Sequence, residues 1–359
     1  MNKKKINFSF PYLPVLSVLI SLLIGAILIA YQGVNPLVAY SHLIQGAMGN
    51  LGSFGETIVK TTPLIFTGLG VTFAYRCGVF NIGAEGQLVM GALGGTWFAL
   101  TFSSLPRFLM LPLCLLSAFL FGAIWGGIPG YLKAKRGLNE IINTIMMNYV
   151  AIQFVSWAIK GPLREEGPYP QTPMFSENAW LTRFIPRTRI HTGIIIAVVC
   201  AALVYYFLFH TVYGYRIRVV GSNRHAAEYA GINVNLNFVL AMMISGGLAG
   251  LAGACDILGI QHRLIDGFAS GYGFDGIAVA LVSQLNPFGV ILTSFLFGAL
   301  RTGANTMQRA VGIPTSIVDI IQGLIIFFVV AATSLEHANI NIPKLRTKKQ
   351  LVAESKEVA

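Results

Sequence analysis

The chain has 359 residues, of which 55% are hydrophobic and only 11% are charged, whereas soluble domains carry about 25% charged residues. This composition excludes most soluble globular classes and indicates a polytopic membrane protein, because lipid solvates an apolar outer surface. A net charge of +11 would suggest a nucleic-acid partner in a soluble protein. In a membrane protein it follows from the concentration of Lys and Arg in cytoplasmic loops, so no nucleic acid is expected.

Apolar segments recur along the chain. The first, 15–30, follows three lysines and could be a signal peptide, but an uncleaved helix is favoured because more spans follow. Those spans are predicted at 57–75, 78–100, 108–131, 139–159, 191–210, 236–258, 273–285, 288–304 and 316–334. The sequence therefore predicts an all-α integral membrane fold with about ten transmembrane helices.

Two segments interrupt this pattern. The segment 34–55 is too polar to cross, and Leu37, Tyr40, Ile44 and Met48 recur at helical spacing, which predicts a short amphipathic helix on the outer surface. The span 273–285 is short, and Asn286-Pro287 separates it from the next span, which is typical of half-helices or a re-entrant segment. Eight to ten crossings are therefore compatible with the sequence, some of them broken or re-entrant.

Ten crossings place both termini on one side of the membrane. The positive-inside rule makes that side cytoplasmic, because fifteen of the 25 Lys and Arg residues fall there: Lys3, Lys4, Lys5, Arg76, Lys133, Lys135, Arg136, Arg216, Arg218, Arg224, Lys344, Arg346, Lys348, Lys349 and Lys356. The predicted organisation is a cytoplasmic tail 1–12, a multi-pass membrane domain 13–334 and a cytoplasmic tail 335–359. Within the domain, 160–190 is expected to be an extracellular loop and 211–235 a cytoplasmic loop.

Motifs for catalysis and metal binding do not occur in the sequence. The four cysteines are widely spaced in or beside apolar segments, which predicts buried free thiols rather than a metal site or disulfides. The nearest approach to a phosphate-binding loop, Lys60-Thr61, lacks the required glycines. We therefore expect no enzyme activity and no cofactor in this chain, and any ATP that drives it must be hydrolysed by another chain.

A glycine-rich passage, 76–87, joins two predicted spans and contains Asn81, Glu85 and Gln87. Polar groups inside a membrane usually face a bundle interior or a cavity. These three residues are candidates for lining a translocation pathway, with backbone opened toward a ligand by the glycines. Close helix packing through small residues, with Glu85 at the start of a helix, explains the same pattern.

Polar residues also form a stripe on the span 139–159. Asn139 and Asn143 lie four residues apart, as do Glu140, Thr144 and Asn148, so they share one side of a helix. Hydrogen bonds between helices are favoured for the first residues, which follow a basic loop and should lie near the inner surface. A place in the pathway is favoured for Asn148.

A third polar group lies in 266–286. Its dense glycines place backbone close to a neighbour, and Phe268, Tyr272 and Phe274 offer flat faces for a ring. Phe274, Asp275 and Gln284 are the candidate pathway residues of this segment, although a core or interfacial place is the commoner explanation for aromatic residues of this kind. Asp319 and Gln322 form a smaller polar pair in the last span.

The loop 214–235 predicts a short helix outside the membrane. Ser222 is the expected N-cap, and Gly231 fits the left-handed position that ends such a helix. Ala226, Ala227 and Ala230 would then form a flat surface beside Glu228. This surface suits docking into another protein, although an amphipathic connector would have the same pattern.

Long ordered motifs resemble the membrane permease subunits of bacterial ATP-binding cassette importers, in the branch of the ribose and branched-chain amino acid permeases. Within that branch the sequence is most similar to nucleoside-uptake members. The motifs are NPLVAY (35–40), ETIVKTTPLIFTGLGVTFAYRCGVFNIGAEGQLVMGA (56–92), GLNEIINTIMMNYVA (137–151), GYRIRVVGSNRHAAEYAGINV (214–234), GYGFDGIAVAL (271–281) and NPFGVILTSFLFGALRTGA (286–304).

The resemblance implies a transport subunit in a bacterial cell membrane that carries nucleosides. Its partners would be an ATPase subunit, a second permease and an extracellular substrate-binding lipoprotein. The family's cytoplasmic coupling helix, which docks on the ATPase, matches Ala226, Ala227, Glu228, Ala230 and Gly231, and we add the preceding Arg224. A sugar or a branched-chain amino acid is the alternative cargo. An ion-driven secondary transporter using intramembrane acids, or a membrane enzyme, is a more distant alternative.

Overall fold

The computed structural model describes the backbone of residues 12–337 and the side chains of 15–332. The predicted tails 1–12 and 335–359 lie outside these residues, apart from residue 12 and residues 335–337. The helices are α1 (Tyr12–Tyr31), α2 (Pro36–Met48), α3 (Leu51–Arg76), α4 (Ala84–Thr101), α5 (Arg107–Arg136), α6 (Glu140–Lys160), α7 (Gly193–His210), α8 (Val212–Ser222), α9 (Arg224–Tyr229), α10 (Val234–Asp256), α11 (Tyr272–Val282), α12 (Pro287–Val311) and α13 (Ser316–His337). A 3₁₀ turn (Glu177–Ala179) and a π-helical turn (Ile257–Gln261) complete the regular structure of this part of the chain.

The predicted all-α membrane fold is confirmed, but its count of about ten spans is not. Within 12–337, six helices are long and apolar enough to cross a membrane, namely α3, α5, α6, α7, α10 with its π-turn, and α12. A seventh span results if α1 and α2, which meet at a bend of 118°, are taken as one. The predicted spans 78–100, 273–285 and 316–334 correspond to α4, α11 and α13, which fall outside this set, and α11 is a short apolar helix of eleven residues.

Two helices form the centre of the bundle. In α3, 89% of the apolar span is buried inside the protein, whereas in α7 the figure is 28%, so α7 leaves most of its surface for lipid. The other central helix, α10, packs closely on α5 through glycines. A Cβ atom on Gly246 would lie 2.3 Å from the carbonyl oxygen of Gly122, and one on Gly122 would lie 2.3 Å from that of Gly246. Small residues are needed there because the two backbones touch.

The short helix predicted within 34–55 is present as α2, and one of its faces packs on the protein. In α2 the buried face consists of Ala39, Leu43, Gly46 and Ala47, which pack toward α12 and α3. Leu37, Ile44 and Met48, the residues that suggested an apolar anchor, are more than half exposed. Small residues make the close helix contacts of α2, and its large apolar side chains are left for the surroundings.

The chain breaks at two places within or beside the predicted spans. The predicted span 78–100 becomes helical only at Ala84, so 77–83 forms a non-helical entry to α4. After α11, Gln284 and Leu285 both adopt left-handed conformations, with φ of 53° and 58°. The Asn286 side chain then accepts a hydrogen bond from the Phe288 backbone N–H, at 3.0 Å, and starts α12. The break predicted at Asn286-Pro287 is confirmed.

The bundle has two distinct ends, which we name by their loops. The loop end carries 161–192, which runs along the end of α10: Thr172 donates to the Leu264 carbonyl, and Leu181 to that of Leu258, each at 3.0 Å. The coupling end carries α8 and α9. Residues at the start of α1 line a groove with Arg76 at the end of α3, which places this end of α1 at the coupling end. The four cysteines are free thiols, as predicted.

Candidate coupling helix and polar sites

The loop at the coupling end folds into two consecutive helices. Thr211 caps α8, and Asn223 ends α8 and caps α9 by accepting a hydrogen bond from the Ala226 backbone N–H at 3.0 Å. The predicted helix is therefore present, but its cap is Asn223 rather than Ser222, which is the last residue of α8. Gly231 has the predicted left-handed conformation, with φ of 75°, and ends the segment after α9.

The surface of α9 differs from the predicted flat alanine face. Ala227 is fully buried, because it turns toward the protein. Ala226 and Ala230 remain exposed, and Tyr229 is 95% exposed. Glu228 forms an ion pair with Arg224 at 3.2 Å, and both side chains are about half exposed. An exposed pair of this kind adds little to stability, so α9 presents charges and an aromatic ring to the surroundings rather than a small-residue plane.

A short chain of contacts joins α8 to the helix core. The Gly221 backbone lies against the end of α3, where a Cβ atom on Gly221 would come within 2.2 Å of the Arg76 carbonyl oxygen. The Arg76 guanidinium donates two hydrogen bonds, at 3.1 and 2.9 Å, to the carbonyl of Leu285 in the left-handed turn after α11. The coupling loop is thus in direct contact with α3, and α3 with the α11–α12 turn.

The N-termini of α4 and α11 meet at Glu85. Its carboxylate accepts hydrogen bonds from the backbone N–H groups of Gly271, at 2.9 Å, and Gly273, at 2.6 Å, and only 3% of the residue is exposed. A Cβ atom on Gly273 would lie 2.2 Å from the Glu85 nitrogen. A negative charge is stabilised where helix N-termini present free N–H groups. Glu85 therefore joins the starts of α4 and the short helix α11, as its position at a helix start suggested.

The buried amides beside Glu85 are also fully engaged. Asn81 donates to Gln87 and to the Ser245 hydroxyl, both at 2.8 Å. Asn148 accepts from the Gly86 N–H at 2.8 Å and donates to the Ile82 carbonyl at 2.9 Å. These amides are almost fully buried. Among the predicted pathway residues, Asn81, Glu85, Gln87 and Asn148 form one cluster whose hydrogen bonds fix the entry to α4.

Of the other three predicted pathway residues, Phe274 and Asp275 directly follow Gly273 at the start of α11 and so lie beside Glu85, whereas Gln284 does not. Phe274 is 48% exposed on α11. Asp275 forms an ion pair with Arg301 at 3.4 Å. Gln284 lies at the far end of α11 and lines an apolar groove of about 620 Å³ beside α1 and Arg76. Six of the seven predicted pathway residues therefore lie around the meeting point of α4 and α11, and Gln284 lies at the other end of α11.

A polar cavity of about 310 Å³ lies between α3, the start of α11, α12 and α13. It is lined by Lys60, Ser270, Tyr272, Arg301, Ala304, Asn305, Thr315, Val318 and Asp319. Sequence reasoning noted Tyr272 and Asp319 but missed Lys60 and Arg301. The available signal was a basic residue inside an apolar segment, which is costly in a membrane unless it faces a cavity or a partner.

At the loop end, charged and imidazole groups hold 161–192 to the bundle. Arg189 forms two hydrogen bonds with the Glu56 carboxylate, at 2.6 and 2.7 Å, and this contact raises the pKa of the Arg189 guanidinium. His191 is 2% exposed, and burial lowers its pKa to about 4. Within the described side chains, no group of three or more His, Cys, Asp and Glu residues could hold a metal ion.

The bundle has helices long enough to cross a membrane, two helix starts that meet in its interior, and an external helix on a polar loop. These features define a multi-pass membrane transport protein. Residues 53–330 match the family described as branched-chain amino acid transport system / permease component, and the chain belongs to that family. It is the permease subunit of an ABC importer, a transport protein rather than an enzyme. Such systems work with an ATPase and a binding protein.

Three relatives cover nearly the whole chain. The guanosine ABC transporter permease protein NupP of Bacillus subtilis is 38% identical over 328 residues, which are 90% of this chain and 93% of that protein. The nucleoside ABC transporter permease protein NupB of Lactococcus lactis is 35% identical over 354 residues, 96% of each chain. The glucose ABC transporter permease protein TsgB13 of Haloferax volcanii is 35% identical over 340 residues, 92% of this chain and 89% of that protein. No solved structure matches the chain.

Proposed function

We propose that this permease carries nucleosides across a bacterial cell membrane. The observation that carries the proposal is the similarity, over 90% or more of the chain, to a guanosine permease and a nucleoside permease. A nucleoside offers ring N–H groups, ring nitrogens and ribose hydroxyls, so it needs polar groups within the membrane domain. The polar cavity lined by Lys60, Asn305 and Asp319 supplies donors and acceptors of this kind.

A sugar is the second candidate cargo. It is favoured by the similarity to a glucose permease, at 35% identity over 92% of this chain. Guanosine and the other ribonucleosides contain ribose, so a pathway that accepts polyhydroxylated solutes would resemble one for either cargo. Only competition between the two classes of solute separates them.

In the proposed importer, the coupling end faces the cytoplasm and α9 docks on the ATPase. Its exposed Arg224, Glu228 and Tyr229 would form the contact. Closure of the ATPase pair would push α9, and the contacts through Gly221 and Arg76 would pass that displacement to α3 and the α11–α12 turn. The loop end would receive the solute from an extracellular binding lipoprotein. A second permease would complete the pathway.

The cargo is tested by uptake of labelled guanosine in cells with and without this chain, with unlabelled nucleosides, nucleobases, ribose, glucose and leucine as competitors. We expect uptake to fall to background on deletion and to return with the intact chain. Nucleosides should compete strongly, and ribose, glucose and leucine weakly. Uptake should survive proton and sodium ionophores while ATP is maintained.

Unchanged guanosine uptake on deletion, in cells with no second route, would contradict the proposed cargo. Strong competition by glucose or ribose together with weak competition by nucleosides would establish the sugar alternative. Collapse of uptake on adding an ionophore at constant ATP would conflict with the importer class itself.

A further inference from the structure

The apolar groove at the coupling end lies between the start of α1 and the start of α12. It has a volume of about 620 Å³ and is lined by Val15, Val18, Leu19, Arg76, Val282, Ser283, Gln284, Asn286, Gly289, Leu292, Thr293 and Leu296. The groove is open to the surroundings, because Leu292 is 75% exposed and Val15 and Leu19 are more than half exposed. Large apolar side chains that are exposed on membrane helices face lipid.

The groove is polar at one end and apolar along the rest of its length. On α12 its lining residues fall at positions 289, 292, 293 and 296, which is the spacing of one helix face. The ten positions from Asn286 to Leu296 span about 15 Å at 1.5 Å per residue. A bilayer has a hydrocarbon core about 30 Å thick. The groove is therefore about as long as one leaflet is deep.

Along α12 the wall of the groove offers no free hydrogen-bonding side chain. Thr293 is the polar residue among its lining positions there, and its hydroxyl lies 3.1 Å from the Gly289 carbonyl and 3.2 Å from the Val279 carbonyl. Its donor is therefore engaged within the protein. An alkyl chain fits such a wall, whereas a polar solute would lose its hydrogen bonds with water there.

Positive charge gathers at the polar end of the groove. Arg76 lines the groove, and Arg218 of α8 lies beside it, since their guanidinium carbons are 5.5 and 5.2 Å from the centroid of the same Phe209 ring. Both arginines are partly buried. In the part of the chain that the structure describes, no acidic side chain forms an ion pair with either of them.

The two guanidinium groups also keep donors. Arg76 uses Nε and Nη2 for the Leu285 carbonyl, which leaves its Nη1. The Nε of Arg218 is buried and has no hydrogen-bond partner among the described residues. Positive groups at the membrane boundary without acidic partners attract anions, and basic pockets between membrane helices bind anionic lipid headgroups. A neutral lipid would leave this charge unmatched.

We propose that an anionic phospholipid of the leaflet at the coupling end binds in this groove. Its phosphate lies at Arg76 and Arg218, and one acyl chain lies between α1 and α12 as far as Leu296. Gln284 and Asn286, both exposed at the polar end of the groove, donate hydrogen bonds to the headgroup. The site is independent of the cargo and does not rest on the proposed function.

The headgroup contact is tested with Arg218→Gln and, as the matched control on the same helix, Arg216→Gln. Both variants lose one positive charge, but Arg216 is exposed and stacks over Tyr213, 5.7 Å from the ring centroid. The full chain in detergent, alone and assembled with its ATPase, is titrated with phosphatidylglycerol or with phosphatidylcholine of the same acyl chains. Bound lipids are counted by native mass spectrometry.

We expect one site per chain that binds phosphatidylglycerol about tenfold more tightly than phosphatidylcholine. Arg218→Gln should lose about fivefold of the affinity for phosphatidylglycerol, which is the effect of one basic residue near a lipid surface. Arg216→Gln should keep the full affinity, because its charge lies away from the groove.

The acyl-chain contact is tested with Leu292→Trp, which fills the groove. The control is Leu203→Trp on α7, at a position that is 59% exposed and outside the groove. Leu292→Trp should bind phosphatidylglycerol at least tenfold more weakly and should lose the rise in melting temperature that the bound lipid gives. Leu203→Trp should keep both. This pair decides the proposal if Arg218→Gln does not fold.

Equal binding of the two lipids would overturn the anionic-lipid site. Equal losses in Arg216→Gln and Arg218→Gln would assign the preference to the general charge of the coupling end, and unchanged binding in Leu292→Trp would place the lipid outside the groove. A preference found in the chain alone but absent from the assembled importer would show that another subunit covers the groove. Each of these results contradicts the lipid site and leaves the cargo to the uptake experiment.

Discussion

Two histidines at the loop end hold residues 161–192 against the end of α10. His191 accepts a hydrogen bond from the Gly193 backbone N–H at 3.2 Å and lies against Gly259 of the π-turn. His262, at the end of the same turn, stacks on Trp180 with ring centroids 4.0 Å apart. Burial, followed by the nearby charge of Arg183, lowers the pKa of both imidazoles, that of His191 to about 4. Both rings are therefore neutral in the folded protein near neutral pH.

This geometry predicts acid sensitivity of the loop end. Because the pKa of His191 falls from 6.5 to about 4 on folding, the unfolded chain binds more protons between these values. The contribution of the neutral His191 to the free energy of unfolding is therefore complete above pH 6.5, and it is lost as the pH falls toward 4. We expect the melting temperature of the detergent-solubilised chain to fall across this window, and His191→Gln to reduce the slope.

The control for this experiment is His225→Gln on the exposed surface of α9, where the imidazole side chain is 84% exposed. That variant should keep the full dependence on pH. Identical slopes for the His191→Gln variant and the unchanged chain would show that the buried imidazole does not carry the effect.

At the scale of single residues, the sequence identified the buried polar groups but not their partners. Asn81, Glu85 and Asn148 are polar residues inside apolar segments, which is visible from the sequence alone. Their hydrogen-bond partners include backbone groups far away in the chain, such as Gly271, so a structural and a pathway role could not be separated. Lys60 and Arg301 were missed because the cavity that they line forms only when α3, α11, α12 and α13 pack together, which the sequence does not show.

At the scale of helices, α9 depends on one cap. It has six residues, so it cannot persist without help from its ends and its neighbours. The Asn223 side chain satisfies the Ala226 N–H, and replacing such a cap by alanine costs about 0.5–2 kcal/mol. We expect Asn223→Ala to reduce both uptake and solute-stimulated ATPase activity, and Asn223→Asp, which keeps the acceptor, to restore them.

The matched control is Asn233→Ala, which removes the equivalent cap of α10, where the side chain accepts from the Leu236 N–H at 3.0 Å. Because α10 is long and packed in the centre of the bundle, coupling should be retained. Normal ATPase stimulation and uptake in a stable Asn223→Ala importer would argue against α9 as the docking element.

The ends of the helices were predicted best where the residues at the end themselves determine the backbone conformation. Gly231 and the Asn286-Pro287 break act through their own backbone conformation, so the sequence specifies them. The Ser222 cap was misplaced by one residue because Ser and Asn are both good caps in adjacent positions. The orientation of α2 and the burial of Ala227 could not be predicted, because they depend on which neighbouring helix each face meets.

At the scale of the molecule, the two ends must lie on opposite sides of the membrane if the proposed orientation holds. Tyr169 at the loop end is 69% exposed and Tyr229 at the coupling end is 95% exposed. We expect a membrane-impermeant maleimide to label Tyr169→Cys in intact cells, and to label Tyr229→Cys only after permeabilisation. Three of the four native cysteines are buried and Cys200 is partly buried. Labelling of the chain without an added cysteine therefore measures the background of the experiment.

Labelling of Tyr229→Cys in intact cells would reverse the orientation and would separate α9 from any cytoplasmic ATPase. The positive-inside rule predicts the proposed orientation from the sequence, but the basic residues 183, 187 and 189 at the loop end weaken the contrast. The number of crossings was harder to predict, because a short apolar segment has the same composition whether it spans the membrane or only enters it.

The meeting of α4 and α11 at Glu85 has a consequence for how the protein is made. The residues that donate to its carboxylate follow it by 186 and 188 positions. At a synthesis rate of about 5–20 residues per second, roughly ten to forty seconds pass before they leave the ribosome. During that interval the nascent chain carries an acid with no native partner. The first half of this protein therefore cannot reach its native structure during membrane insertion until the second half has been synthesised.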